Sequence, residues 1–244
     1  MSQTLTLTRT ESKLFLREWT GLFFVFALPL GLLAIFSMIS SGDTSDPAQN
    51  IPASFLPTMA IGIGVSMLGM ATLPMVLATY REKGILRRLS TTPARPLKVL
   101  LAQLVVHLTA AAMVVVLIVG VGALAFDAAL PESALKFTVA ALLTAAGLFS
   151  IGLVIAALLP TAKGASIVGN VLFFPSMFFA GVWTPGDVMP ESLRWLRDVT
   201  PMGAGMSALQ DAWAGTWPDP THVIALVTVT AVCLVVASRY FRWE

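Results

Sequence analysis

Hydrophobic positions in this chain fall in long unbroken blocks. Six of them, roughly 20–40, 54–79, 99–125, 137–159, 164–183 and 221–238, contain no Asp, Glu, Lys or Arg. Each meets the requirement of about 20 largely apolar residues for one helical crossing of a bilayer. Only helices and closed barrels satisfy every backbone group in lipid, and barrel strands read as ten-residue alternations rather than continuous runs. The pattern predicts an all-α polytopic membrane protein with six transmembrane helices. The first block exceeds the 7 to 15 apolar residues of a signal-peptide core, so it reads as a permanent span.

The polar segments between the blocks have a periodicity of their own. In residues 1–18, "LTRTESKLFLREW" places Arg9, Lys13 and Arg17 on one ridge at i, i+4 spacing, with Leu7, Leu14 and Phe15 elsewhere. This predicts an amphipathic helix along the inner membrane surface or a plain basic lead-in to the first span. Residues 81–90 predict a short helix that ends before Pro93, because the residue preceding proline avoids the helical region. On a 3.6-residue wheel Ile85, Leu86 and Leu89 fall together with Glu82, and Arg81 and Arg88 flank the stripe. A carboxylate among apolar residues is costly unless paired, so the partner of Glu82 is an arginine of this chain or another protein. The segment is a docking helix or a solvated basic loop.

The segment 184–220 contains two further short helical patterns, "PESLRWLRDV" and "TPMGAGMSALQDAW". Thr200 caps the second, Pro201 occupies its first turn, and Met202, Met206, Leu209 and Trp213 form its apolar stripe. Neither is long enough to span, so the pair is a re-entrant hairpin on the outer side or lies on the headgroups.

Composition supports the membrane reading. Hydrophobic residues make up 57% of the 244 positions and charged residues 11%, against about a quarter charged in soluble domains. Mean hydropathy is +0.84. The net charge of +2 matters less than where the charges sit. Twelve basic residues fall on one side of the six-span topology: Arg9, Lys13, Arg17, the six of 81–98, Lys163, Arg239 and Arg242. Three, Lys136, Arg194 and Arg197, fall on the other. Basic residues are retained in the cytoplasm, which predicts a multi-pass protein of a bacterial cytoplasmic membrane with both termini and the 80–98 loop cytoplasmic. The single cysteine, Cys233, rules out an intrachain disulfide or a thiolate metal cluster.

The chemistry the sequence lacks narrows the function. There is no G-x-x-x-x-G-K-[ST] phosphate loop and no H-E-x-x-H or clustered metal ligands, so no catalytic, cofactor-binding or metal-binding residue is expected. The two histidines, His107 and His222, read as structural. Ion-coupled transporters carry ionisable groups within the membrane, and here the spans offer only His107. A pump of this composition draws its energy from a separate ATP-hydrolysing subunit, for which the Glu82 helix is the best docking site. In the fifth block, Asn170 and Pro175 sit among Phe173, Phe174, Met177, Phe178 and Phe179; the second contributes Met67, Met70 and Pro74. Methionine and phenylalanine make an adaptable apolar wall for a greasy substrate, and equally suit packing against lipid. The alternatives are a non-transporting immunity or sensory membrane protein and an ion-coupled secondary transporter. "GMSALQDAW" is a weak serine-protease signal, since no histidine base accompanies Ser207.

At "YREKGILRRLSTTPARPLKVLLAQLV" and "FFPSMFFAGVWTPGDVMPESLRWLRDVTPM" the chain resembles the ABC-2 type permeases, membrane subunits of bacterial ATP-binding cassette exporters, including drug- and antibiotic-export members. The resemblance covers nearly the whole chain as a single transmembrane domain, 1–244. It implies a half-transporter that pairs with a second permease copy or a paralogue and with two ATPase subunits, which use ATP and Mg while this chain binds neither. By the same resemblance 81–90 is the coupling helix, with Arg81, Glu82, Lys83, Gly84, Arg87 and Arg88 as ATPase-contacting positions. Residues 1–18 become the connecting helix, and 184–220 the re-entrant element near the exit. The sequence departs from the family pattern at Thr200, where asparagine is common, and lacks the aromatic residue that often follows.

Overall fold

The computed structural model describes residues 3–40, 52, 54–85, 96–126, 128–183 and 191–240. Among these there is no strand. Nine helices follow in order. Helix α1 is Gln3–Arg17; α2 runs through Trp19–Leu22, Phe23–Ala27 and Leu28–Ser40; α3 is Phe55–Glu82 and α4 Pro96–Phe126. Then come α5, Ala134–Leu158; α6, Ala162–Phe179; α7, Glu191–Val199; α8, Pro201–Trp213; and α9, Pro220–Tyr240. Five helices, α3, α4, α5, α6 and α9, are long and apolar enough to cross a membrane, and α2 carries a shorter apolar stretch, Phe23–Ile39.

Helix α3 is the centre of the bundle. Its apolar window is 83% buried, against 11% for α9, and it packs on α2, α4, α5, α6 and α8. A helix with no polar face has no amphipathic preference to orient it, so shape decides its neighbours. Two prolines shape the contacts. Pro29 in α2 and Pro74 in α3 lack the amide that would bond the carbonyl four residues back, which belongs to Val25 and Met70. At those points the helices widen into single π-type turns, Phe23–Ala27 and Met67–Thr72.

The widened turns push backbone toward glycines on adjacent helices. A Cβ on Gly64 of α3 would lie 3.2 Å from the Val25 carbonyl oxygen. On Gly169 of α6 it would overlap the Met70 carbonyl oxygen, and on Gly152 of α5 that of Gly69. A Cβ on Gly69 itself would meet the Leu148 backbone at 2.8 Å. Small residues thus bring helices together in lipid, where hydrophobic attraction between helices is absent.

Helix α8 is buried on every side from Met202 to Leu209. Met202, Met206, Leu209 and Trp213 are 5% exposed or less, but Gly203, Ala204, Gly205 and Ala208 are covered too. The expected stripe is therefore only one part of an enclosed surface, and α8 is packed among α3, α5, α6 and α9. Its end is tied to the neighbouring turn. Trp213 Nε1 donates to the Ala129 carbonyl at 3.1 Å, and the Glu132 amide donates to the Trp213 carbonyl at 3.0 Å. Nearby, the His222 ring on α9 lies between Asp198 of α7 and Asp211 of α8, at 3.5 and 3.4 Å. Asp219 accepts from the Thr221 amide at 2.8 Å and caps α9, and this bond holds its carboxyl below the usual range.

Candidate functional site

Two features stand out, both built on α3. The first lies where α3 ends, at the face that also carries α1, the start of α4, the end of α5 and the start of α6. Three consecutive residues there reach into different elements. The Tyr80 hydroxyl donates to the Glu11 carboxylate on α1, and Gln103 Nε2 on α4 donates to the same oxygen at 2.5 Å. Arg81 Nη1 donates to the carbonyls of Ala156 and Leu159, at 3.0 and 3.3 Å, where α5 ends. The Glu82 carboxylate accepts from the Ala162 amide at 3.0 Å, where α6 begins. A cation on a helix C-terminus and an anion on a helix N-terminus each complement the backbone dipole, so the Arg81–Glu82 pair matches the sign of both ends of the turn between α5 and α6.

The sequence left the partner of Glu82 open between an arginine and another protein. The structure supplies a third answer, the backbone amide of Ala162. Of the other positions in that segment, Lys83 and Gly84 form the turn after α3, with Gly84 at φ 64. Leu86, Arg87, Arg88 and Leu89 lie outside the described residues.

Glu11 was not singled out in the sequence. It is 8% exposed, on a helix whose Arg9, Lys13 and Arg17 are all exposed. Burial raises its carboxyl above the ordinary value of 4.5, and the bonds from Tyr80 and Gln103 partly oppose that rise. Phe15, one turn on, meets His107 edge to face with ring centroids 5.7 Å apart, while His107 Nδ1 sits 2.8 Å from the Gln103 carbonyl oxygen. Apolar rings thus flank the polar cluster on one side, while Glu11, Tyr80 and Gln103 also line a cavity of about 440 Å³.

The second feature is a groove of about 570 Å³ between α2, α3 and α6, within the 300 to 1,000 Å³ typical of small-molecule sites. It opens sideways along these helices. From Glu18, just before α2, to Leu32 one wall advances fourteen positions, about 21 Å at 1.5 Å each. Both widened turns contribute to the walls, Phe24 from one and Met67, Ala71 and Thr72 from the other. The α6 wall carries Ser166, Asn170, Phe173, Phe174 and Met177, and Trp183 closes the far end.

Of the seven residues proposed from the sequence as a pathway, this groove gathers five: Met67, Asn170, Phe173, Phe174 and Met177. Met70 lies elsewhere, 2% exposed in the core, and Phe178 is 41% exposed away from the groove. The contribution of α2, namely Phe24, Leu28 and Leu32 beyond Glu18, was missed, because nothing in an apolar run marks which face meets a cavity.

A bundle of apolar helices long enough to cross a membrane, with a groove between three of them, is a multi-pass membrane protein. The family model for the ABC-2 type transporter matches residues 2–213, and the chain belongs to that family. It is the membrane permease component of an ABC transporter, a part that moves substrate rather than a catalytic one. No curated protein matches the chain.

Proposed function

We propose that the chain is one half of an ATP-driven exporter in a bacterial cytoplasmic membrane, carrying a lipophilic or amphipathic compound such as a drug, antibiotic or lipid-like molecule. The observation that carries this reading is the reach of Tyr80, Arg81 and Glu82 into α1, α4, α5 and α6 from one turn. A force applied by an ATPase to the 81–90 segment would reach the end of α3, α1 and the turn that starts α6 together. Helices α3 and α6 are two of the three walls of the groove. Movement of that segment would therefore act directly on two walls of the groove.

In this reading Arg81 and Glu82 anchor the loop to its own bundle. Lys83, Arg87 and Arg88 meet the ATPase, which alone binds ATP and Mg. The substrate enters the groove from the inner leaflet or the cytoplasm near Glu18 and leaves near α7 and α8. The sideways opening and the exposed rings of Phe24 and Phe174 suit closure by a second permease copy or a paralogue.

The test is ATP hydrolysis and export by the complex purified from native membrane with its ATPase. Glu82→Ala is expected to leave basal hydrolysis in place and to abolish its stimulation by substrate. Export and coupled hydrolysis both at the wild-type level would refute the coupling role. Orientation is tested separately with Ser90→Cys in a Cys233→Ala background: labelling by an impermeant thiol reagent on intact cells would place the loop outside and refute the reading.

A further inference from the structure

The groove is lined almost wholly by apolar side chains, yet one end carries a carboxylate. Glu18 lies in the break between α1 and α2, half-buried, and among the described residues it is the one charged side chain on the groove wall. Two of the other polar side chains, Thr72 and Asn170, have their protons engaged within their own helices. Thr72 gives its hydroxyl proton to the Leu68 carbonyl at 2.9 Å, so its oxygen can only accept from a further partner. Asn170 gives its amide protons to Ser166, to the carbonyl at 2.8 Å and the hydroxyl at 3.5 Å, which leaves its own carbonyl oxygen available. Ser166 can act either way. The indole N–H of Trp183 is a donor, at the end opposite Glu18.

Four aromatic rings, Phe24, Phe173, Phe174 and Trp183, complete the walls. A ring face attracts a cation, and more so where water is excluded. The carboxylate, the acceptor oxygens and the ring faces favour positive charge, and the Trp183 N–H that could serve an anion lies at the end opposite Glu18. Among the described residues no basic side chain lines the groove; Arg17 and Lys83 line the adjoining cavity of about 440 Å³, which shares Glu18 as a wall.

We infer that the groove selects amphipathic organic cations, an apolar body lying along the aromatic wall with an ammonium or guanidinium group at Glu18. This rests on the groove being the substrate pathway and names the class of substrate it takes. An anionic amphiphile of the same size would place its charge against Glu18 and be rejected, and a neutral one would bind through its apolar body alone.

The experiment uses the full chain in lipid nanodiscs and two ions of like size and opposite charge, tetraphenylphosphonium and tetraphenylborate, with binding to empty nanodiscs subtracted. The cation is expected to bind about tenfold more tightly than the anion. Glu18→Gln should remove the preference and Glu18→Asp should keep most of it. Asn170→Leu, which leaves the break between α1 and α2 intact, should also weaken the cation and not the anion. Equal binding of both ions, each weakened by Phe173→Ala, would overturn the charge selection and leave the pathway standing. A cation preference that survives both Glu18→Gln and Asn170→Leu would overturn the assignment of Glu18. Absence of binding by either ion, or binding indifferent to Phe173→Ala, would overturn the pathway as well.

Discussion

A single buried carboxylate shows how much one residue decides here. Glu11 holds the amphipathic helix to the bundle, and its ionised form is disfavoured by burial. Its folded-state pKa is raised, so the docked helix is most favoured below the ordinary value of 4.5, and the stability it contributes is lost as pH rises through the raised value. Proteolytic release of α1 should therefore increase with pH across that range. Glu11→Gln keeps an acceptor for Tyr80 without the charge and should flatten the pH profile. Glu11→Leu strands the Tyr80 hydroxyl and the Gln103 amide and should destabilise docking by about 1–3 kcal/mol, read as faster release at every pH. The sequence did not reveal Glu11 because the arginine and lysine ridge around it reads as a surface. The only trace was its spacing of four from Phe15, and its two donors lie 69 and 92 positions away. Glu82, by contrast, was legible as a carboxylate in need of a partner. The partner was a backbone amide, which residue patterns do not advertise.

At the scale of the helix, the widened turns and the glycines that meet them form matched sets. Gly169 accommodates the Met70 carbonyl and Gly152 that of Gly69, with backbone rather than a movable side chain on the other side. Gly169→Ala should therefore destabilise the bundle by about 1–3 kcal/mol through overpacking, measured as a lower midpoint of thermal unfolding in detergent. Gly120→Ala, where a Cβ has open space, should leave the midpoint unchanged. Pro29 and Pro74 each lie two residues beyond a wide turn, but the sequence did not reveal those turns: a proline alone does not choose between a kink and a bulge, and Pro175 sits inside α6 without a wide turn. Helix α8 is where element-level reading stopped short. Four large side chains at helical spacing suggested one buried face, while the glycines and alanines between them are buried because neighbours pack directly on backbone. Small residues carry no hydrophobic signal strong enough to distinguish a bare surface from an enclosed one.

For the molecule as a whole, the hub and the groove share α3 and are linked through it, which gives a prediction that neither makes alone. Arg81→Gln weakens the grip on the α5 carbonyls and should lower substrate-stimulated hydrolysis in the purified complex while leaving the affinity of a groove ligand within about twofold, since Arg81 is outside the groove. A Phe173→Ala variant should do the reverse, weakening the ligand and sparing basal hydrolysis. The six-block architecture was readable because lipid imposes long charge-free helices. The assembly of those helices was not, because shape among apolar helices, rather than polarity, sets their order. The encased position of α3 also constrains how the protein is made. The ribosome delivers α3 to the membrane before α5, α6 and α8 exist, so this helix must wait in lipid with its Gly69 and Met70 carbonyls uncovered until the later half of the chain arrives. Nascent chains halted after α4 should then be held by an insertase or degraded, and the commitment to a finished transporter falls at the synthesis of α6.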